Sequence, residues 1–227
     1  MSRRLPGVLY LTVILTGLFS LGYVPSRLFA SNDPVAILTA VRDGLPLLRW
    51  GIAAGMVCYI AFLLLPLALH RWLSPAGPTA AALMVGLAAV SVPLSLTALG
   101  HRMEILALAE GRGVFATWDA ATLEAAVALA EQRFDATLRL AMLFWGLWLL
   151  PLGHLIVRSA QWPRVLGVLL LLGGTGYVVA VLGSVLSPAF SSSRVPGWLV
   201  LPATIGEFGT CLALLIRPPR EPRASSA

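Results

Sequence analysis

Six apolar runs, each roughly 17 to 25 residues long, constrain this chain more than any other feature of its sequence. They are residues 5–29, 50–69, 80–100, 140–157, 165–186 and 198–216. At a rise of about 1.5 Å per residue, a helix of roughly 20 residues matches a hydrocarbon core about 30 Å thick. Backbone N–H and C=O groups find no water inside lipid, so a spanning segment must satisfy them itself, as a helix does. Strands of a membrane barrel would be about ten residues long and alternate polar with apolar, and these runs show no alternation. The expectation is therefore an all-α, polytopic transmembrane bundle forming one integral membrane domain over residues 1–227.

Composition agrees. Of 227 residues, 58% are hydrophobic and only 11% charged, against about a quarter charged in ordinary soluble domains. Too few polar side chains remain to cover a water-facing surface. The first run, Leu5 to about Phe29 behind Arg3 and Arg4, resembles a signal peptide in outline. It is long, however, and cleavage after Ala30 would place bulky Leu28 where a small residue is needed, so a retained helix is expected. Prolines 25, 66, 93, 151 and 202 lie in or near the runs and predict kinks rather than breaks. Gly51-x-x-x-Gly55 and the Gly173, Gly174, Gly176 group would let helices approach closely.

Net charge is +6, from 16 basic residues (all of them arginine) and 10 acidic ones. The arginines are spread between apolar segments instead of gathered on one face. They suit headgroup anchoring and contact with membrane lipids, and argue against nucleic acid. Arg3, Arg4, Arg71, Arg158, Arg164, Arg217, Arg220 and Arg223 fall on one side of the predicted membrane, opposed only by Glu221. Arg27, Arg42, Arg49, Arg102, Arg112, Arg133, Arg139 and Arg194 fall on the other, balanced by eight carboxylates. The counts tie, but the first set crowds into short linkers beside helix ends. That places both termini in the cytoplasm and the chain in the cell (inner) membrane.

The loop from His101 to Arg139 is the longest outside the bilayer, and its second half is helical. Leu123, Val127, Ala130, Phe134 and Leu138 recur at helical spacing, Asp119 suits an N-cap, and Glu124, Glu131 and Asp135 face elsewhere. The segment either extends the fourth span or lies on the outer surface; no breaker separates it from Leu140, which favours extension. Trp50, Trp72, Trp162 and Trp198 lie at predicted span ends, as interfacial anchors would.

Glu207, near the middle of the sixth span, is the candidate intramembrane polar site. A carboxylate there must be paired, hydrated or protonated. It serves either as an ion, proton or substrate site or as a hydrogen bond that fixes helix packing. His154, Arg158 and Arg164 are secondary candidates for polar or headgroup contacts on the cytoplasmic side. Cys58 and Cys211 read as small buried hydrophobes. His101, Arg102 and Glu104 cluster in HRME without zinc-site spacing, and neither a metal site nor a cofactor is expected. The chain has no H-E-x-x-H, G-x-S-x-G, Walker A or C-x-x-C motif, and Ser191 to Ser193 with Arg194 read as a connector.

At FWGLWLLPLGHLIVRSAQWPRVLGVLLLLGGTGYVV, Phe144 to Val179, the sequence resembles the bacterial and archaeal multi-pass membrane family known as domain of unknown function 4386. The aromatic–Gly–Leu–Trp–Leu–Leu–Pro–Leu–Gly stretch carries the resemblance, with Arg158-Ser159 and Pro163-Arg164 before Leu166-Gly167. So do PGVLYLTVILTG, Pro6 to Gly17, and the ATIGEFG around Glu207. The resemblance implies a membrane bundle of this size and carries over no activity, substrate or catalytic residue. Three readings of function follow. The first is a non-enzymatic scaffold, accessory or sensor protein, with protein partners or self-association left open. The others are a small-solute or ion transporter using Glu207, and a lipid-modifying enzyme using His154, Arg158 and Arg164.

Overall fold

The computed structural model describes residues 3–219, so Arg220, Glu221 and Arg223 of the charge argument lie outside the described residues. Among the described residues the fold is all helix, with no strand. Six helices are long and apolar enough to cross a membrane. These are α1 (Leu5–Leu28), α3 (Leu45–Leu73), α4 (Pro78–Glu110), α5 (Ala120–Ser159), α6 (Arg164–Leu186) and α8 (Val195–Ile216). Two shorter helices, α2 (Pro34–Asp43) and α7 (Pro188–Ser191), lie in the connections.

Each predicted span lies within one of these helices except Phe29, the last residue of the first, which ends α1 as its C-cap. Three helices run well past their apolar runs. The run marks the part of a helix that lipid can bury, whereas the helix continues for as long as backbone hydrogen bonds and helix-forming residues continue. At 40 residues, α5 is about 60 Å long, twice the hydrocarbon thickness. Its first half is the helical segment of the long loop, joined to the fourth span without a break. Likewise α4 runs on from Gly100 through EILALAE to Glu110. It stops at Gly111, whose φ of +62° favours a residue without a side chain. There the Gly111 N–H donates to Leu108 O and the Arg112 N–H to Ala107 O, the paired bonds of a Schellman cap.

Helix α2 escapes the apolar-run reading because it is short and amphipathic. Asp33 caps it, its Oδ1 accepting from the Val35 N–H at 3.2 Å, and Pro34 opens its first turn. Ile37, Leu38 and Val41 form its buried face. The interior prolines 66, 93, 151 and 202 are all accommodated without ending their helices. Ahead of Pro25, α1 widens into a π-helical stretch, Leu18–Tyr23, where the Val24 N–H reaches Phe19 O. This is a local adjustment of the kind that absorbs a missing proline N–H.

The chain divides into two compact units. One falls within Met1–Leu11, Ala61–Val92 and Arg139–Ala227. Its core includes Tyr10, Phe62, Leu65, Met84, Trp148, Leu152 and Leu155, with Phe62 and Trp148 meeting edge to face at 5.0 Å. Glycines set its helix contacts. A Cβ on Gly146 would lie 2.8 Å from Gly174 O, and one on Gly153 would lie 2.6 Å from Gly167 O. Two glycine pairs, seven residues apart on each helix, thus bring the backbones of α5 and α6 together. On its other side α6 places Gly173 against Ala203 and Gly176 against Leu199 of α8.

The second unit comprises Thr12–Ile60 and Pro93–Leu138. Gly51 packs on Val24 and Gly55 on Ser20, so the G-x-x-x-G of α3 receives α1. Leu123, Val127, Ala130 and Phe134 are buried, as their spacing predicts, and Leu138 is half-buried. Glu131 departs from expectation. It turns inward, and both its oxygens accept from Arg102, at 2.5 and 3.0 Å. The Arg102 guanidinium is itself buried, 3.6 Å from the ring centroid of Phe29 and 3.9 Å from that of Phe134. A buried charge requires such partners, and two aromatic faces with a bidentate carboxylate supply them.

The tryptophans split. Trp50 and Trp198 are exposed, as anchors at a lipid interface would be, but Trp72 and Trp162 are buried. The Trp162 Nε1–H donates to Arg217 O at 3.1 Å, tying the end of α8 to the α5–α6 connection. At that position an indole is worth more as a packed donor than as an interfacial ring.

Candidate functional site

Glu207 sits in α8 between Gly206, which packs on Leu170, and Gly209, which packs on Leu166. The two glycines bring α8 close against α6 around a carboxylate that is itself half-buried. Its partner comes from the first helix. The Tyr10 hydroxyl donates to Glu207 Oε1 at 3.1 Å, and Tyr10 is 1% exposed. A buried phenol O–H with no acceptor would cost on the order of 1–3 kcal/mol, so each group answers the other's need.

The tie is reinforced a turn away. The Cys211 Sγ lies 3.9 Å from Gly7 O, a weak thiol contact, and a Cβ on Gly7 would meet the Leu215 backbone N at 3.0 Å. Gly7 and Tyr10 on α1 therefore face Cys211, Leu215 and Glu207 on α8. Tyr10 also leans on Trp148 of α5, with ring centroids 6.3 Å apart and a 55° tilt. A second polar group lies one turn beyond Glu207: Thr210 is 2% exposed, and its Oγ1 has no hydrogen-bond partner among the described residues.

Chemically, a carboxylate bonded by a phenol can accept a hydrogen bond, hold a proton or take part in binding a cation. Among the described residues nothing beside it supplies a nucleophile activated by a base. Cys211 and Cys58 are free and buried, and the Sγ of each lies within reach of a backbone carbonyl, Gly7 O and Val13 O respectively. Among the described residues no group of three or more His, Cys, Asp or Glu side chains could hold a metal ion.

His154, Arg158 and Arg164 form a different kind of surface. All three are exposed. His154 and Arg158, four residues apart on α5, share a helical face, and Arg164 opens α6 after the turn that follows Ser159. None of the three has a carboxylate partner among the described residues. They lie together near one connection but are not held by packing, as residues that orient a substrate must be.

Sequence reasoning singled out Glu207 as a candidate and did not name Tyr10, which the structure places against it. The signal was present in PGVLYLTVILTG, where a phenol lies inside an apolar run and must bond somewhere, but nothing in the sequence pointed from residue 10 to residue 207. The Arg102–Glu131 pair was missed for a similar reason: HRME reads as a cluster at a helix end, and its acidic partner is 29 residues away.

The chain matches the family described as Domain of unknown function (DUF4386) over residues 5–217. No curated protein and no solved structure matches it.

Proposed function

This multi-pass membrane protein belongs to the DUF4386 family, and from that premise we propose that it is a non-enzymatic scaffold or accessory protein in which Glu207 is a packing device. The observation that carries the reading is the Tyr10–Glu207 hydrogen bond, made by a fully buried phenol. A transport carboxylate must be free to exchange partners, whereas this one completes the contact between α1 and α8. We take the chain as a single integral membrane domain, because α1, α3, α4 and α5 each contribute residues to both compact units. Both termini lie in the cytoplasm in this reading, with Arg158 and Arg164 holding headgroup phosphates and His154 at the same interface.

The test uses the full chain in proteoliposomes, comparing wild type with Glu207→Gln and Tyr10→Phe. The side-chain amide of Glu207→Gln keeps a carbonyl acceptor for the phenol, so that variant should fold and resist heat nearly as wild type does. Tyr10→Phe should be destabilised by about 0.6–1.7 kcal/mol, the range for a hydrogen bond between membrane helices. Neither variant should alter proton or cation flux. A wild-type flux that disappears in Glu207→Gln while folding is retained would replace this reading with transport. The incompletely buried Glu207 residue and the orphan hydroxyl of Thr210 are the two features that favour that alternative. Replacing Thr210 with Val separates the two: a packing role predicts unchanged or improved stability, and a ligand role predicts lost flux.

A further inference from the structure

A groove of about 680 Å³ runs along the opening of α3, lined by Arg42, Leu45, Pro46, Arg49, Trp50 and Ala53. We propose that it is a binding site for one anionic phospholipid, with the phosphate between Arg42 and Arg49 and an acyl chain running down α3. The site is separate from Glu207 and does not depend on the role assigned to that residue.

Charge is the first argument. The Arg49 guanidinium pairs with Glu110, and the Arg112 Nε lies 2.5 Å from the other Glu110 oxygen. Arg42 Nε donates to the neighbouring carbonyl of Ala109 at 3.4 Å. Three guanidinium groups thus gather at the end of α4 around one carboxylate, which leaves positive charge in excess. Asp43 is exposed and pairs with none of them among the described residues. Arg49 remains 55% exposed with donors to spare, so its bond to Glu110 orients the fork without using it up.

The second argument is what lies beside the charge. Leu45, Pro46 and Ala53 are apolar, and Trp50 is 70% exposed. The same face of α3 continues through Val57, 48% exposed, and Ile60, 58% exposed. Residues 50, 53, 57 and 60 recur at three- and four-residue spacing, so they form one stripe that starts at the arginines and enters the apolar run. A free phosphate would use the arginines and leave the stripe uncovered. A neutral apolar molecule would use the stripe and leave the charge unanswered. A phospholipid with net negative charge uses both, with the indole at headgroup depth where such rings concentrate.

The experiment is native mass spectrometry of the full chain, purified in mild detergent and incubated with phosphatidylglycerol, with phosphatidylcholine or with inorganic phosphate. Phosphatidylglycerol should be retained several-fold more than phosphatidylcholine, and added inorganic phosphate should not compete it away. Arg42→Gln/Arg49→Gln should lower retention at least five-fold, while Arg194→Gln, with its charge loss outside the groove, should retain lipid as wild type does. Ala53→Trp fills the groove without touching a charge or the Glu110 pair, and should lower retention by the same order. It keeps the test decisive if the double variant fails to fold. Equal retention of the two lipids, competition by phosphate alone, or full retention in Ala53→Trp would overturn the proposal.

Discussion

At the scale of single residues, two of the polar arrangements among the described residues are solved differently. Glu207 relies on one neutral donor, whereas Arg102 is met by a bidentate carboxylate and two aromatic faces. The Arg102 arrangement should therefore be the more costly to break from one side. Glu131→Gln leaves a buried guanidinium without its counter-charge and should destabilise the protein by about 3–5 kcal/mol. Replacing both partners, Arg102→Met with Glu131→Leu, should recover most of that loss. Thermal unfolding of the two variants in nanodiscs measures the difference, and an equal loss in both would show that the pair does more than neutralise itself. A pH effect belongs at the start of α5. The Thr122 N–H donates to Asp119 Oδ1 at 2.7 Å and holds that carboxyl below its ordinary range. The stabilisation is fully present above the unfolded-state pKa and is lost as pH falls through the lower folded one. The protection factor of the Thr122 amide, the intrinsic exchange rate divided by the observed rate at the same pH, should therefore be high at about pH 6 and fall toward about pH 3. In Asp119→Ala it should be low at both.

At the scale of helices, glycine positions fix the contacts of α6. A Cβ on Gly176 would fall 1.9 Å from the Leu199 carbonyl oxygen, and backbone cannot step aside as a side chain would. Gly176→Ala should cost about 1–3 kcal/mol by overpacking. Gly86→Ala is the matching control, since a Cβ there meets nothing within 4 Å, and it should be neutral or slightly stabilising. Comparing the melting temperatures of the two variants separates steric conflict from the general effect of losing a glycine. Helix identity was legible in the sequence because each apolar run exceeds what any soluble helix needs. Helix ends were not, because hydrophobicity reports where lipid is and not where backbone hydrogen bonding stops. Hence Leu45 and Glu110 lie well outside runs whose centres were correctly placed. The partners across helices, Tyr10 with Glu207 and Arg102 with Glu131, were illegible for another reason. A single sequence shows which polar groups need an answer but not which group gives it.

For the whole molecule, the proposed orientation follows from where arginines sit relative to short linkers, and it has a direct consequence for labelling. In a chain with Cys58 and Cys211 replaced, a thiol at Ala116 should react with a membrane-impermeant reagent added to intact cells. A thiol at Thr79 should react only after the membrane is opened. The reverse pattern would invert the topology while leaving the six spans intact.

The Tyr10–Glu207 bond also bears on how the chain is made. Its two members are 197 residues apart, so the phenol enters the membrane long before its acceptor is synthesised. Through most of translation Tyr10 must borrow other partners, from lipid headgroups, water or a helper protein, and the final contact is available only once the sixth span has been inserted. A product released before the sixth span therefore carries an unanswered hydroxyl in its first helix, in addition to lacking α8.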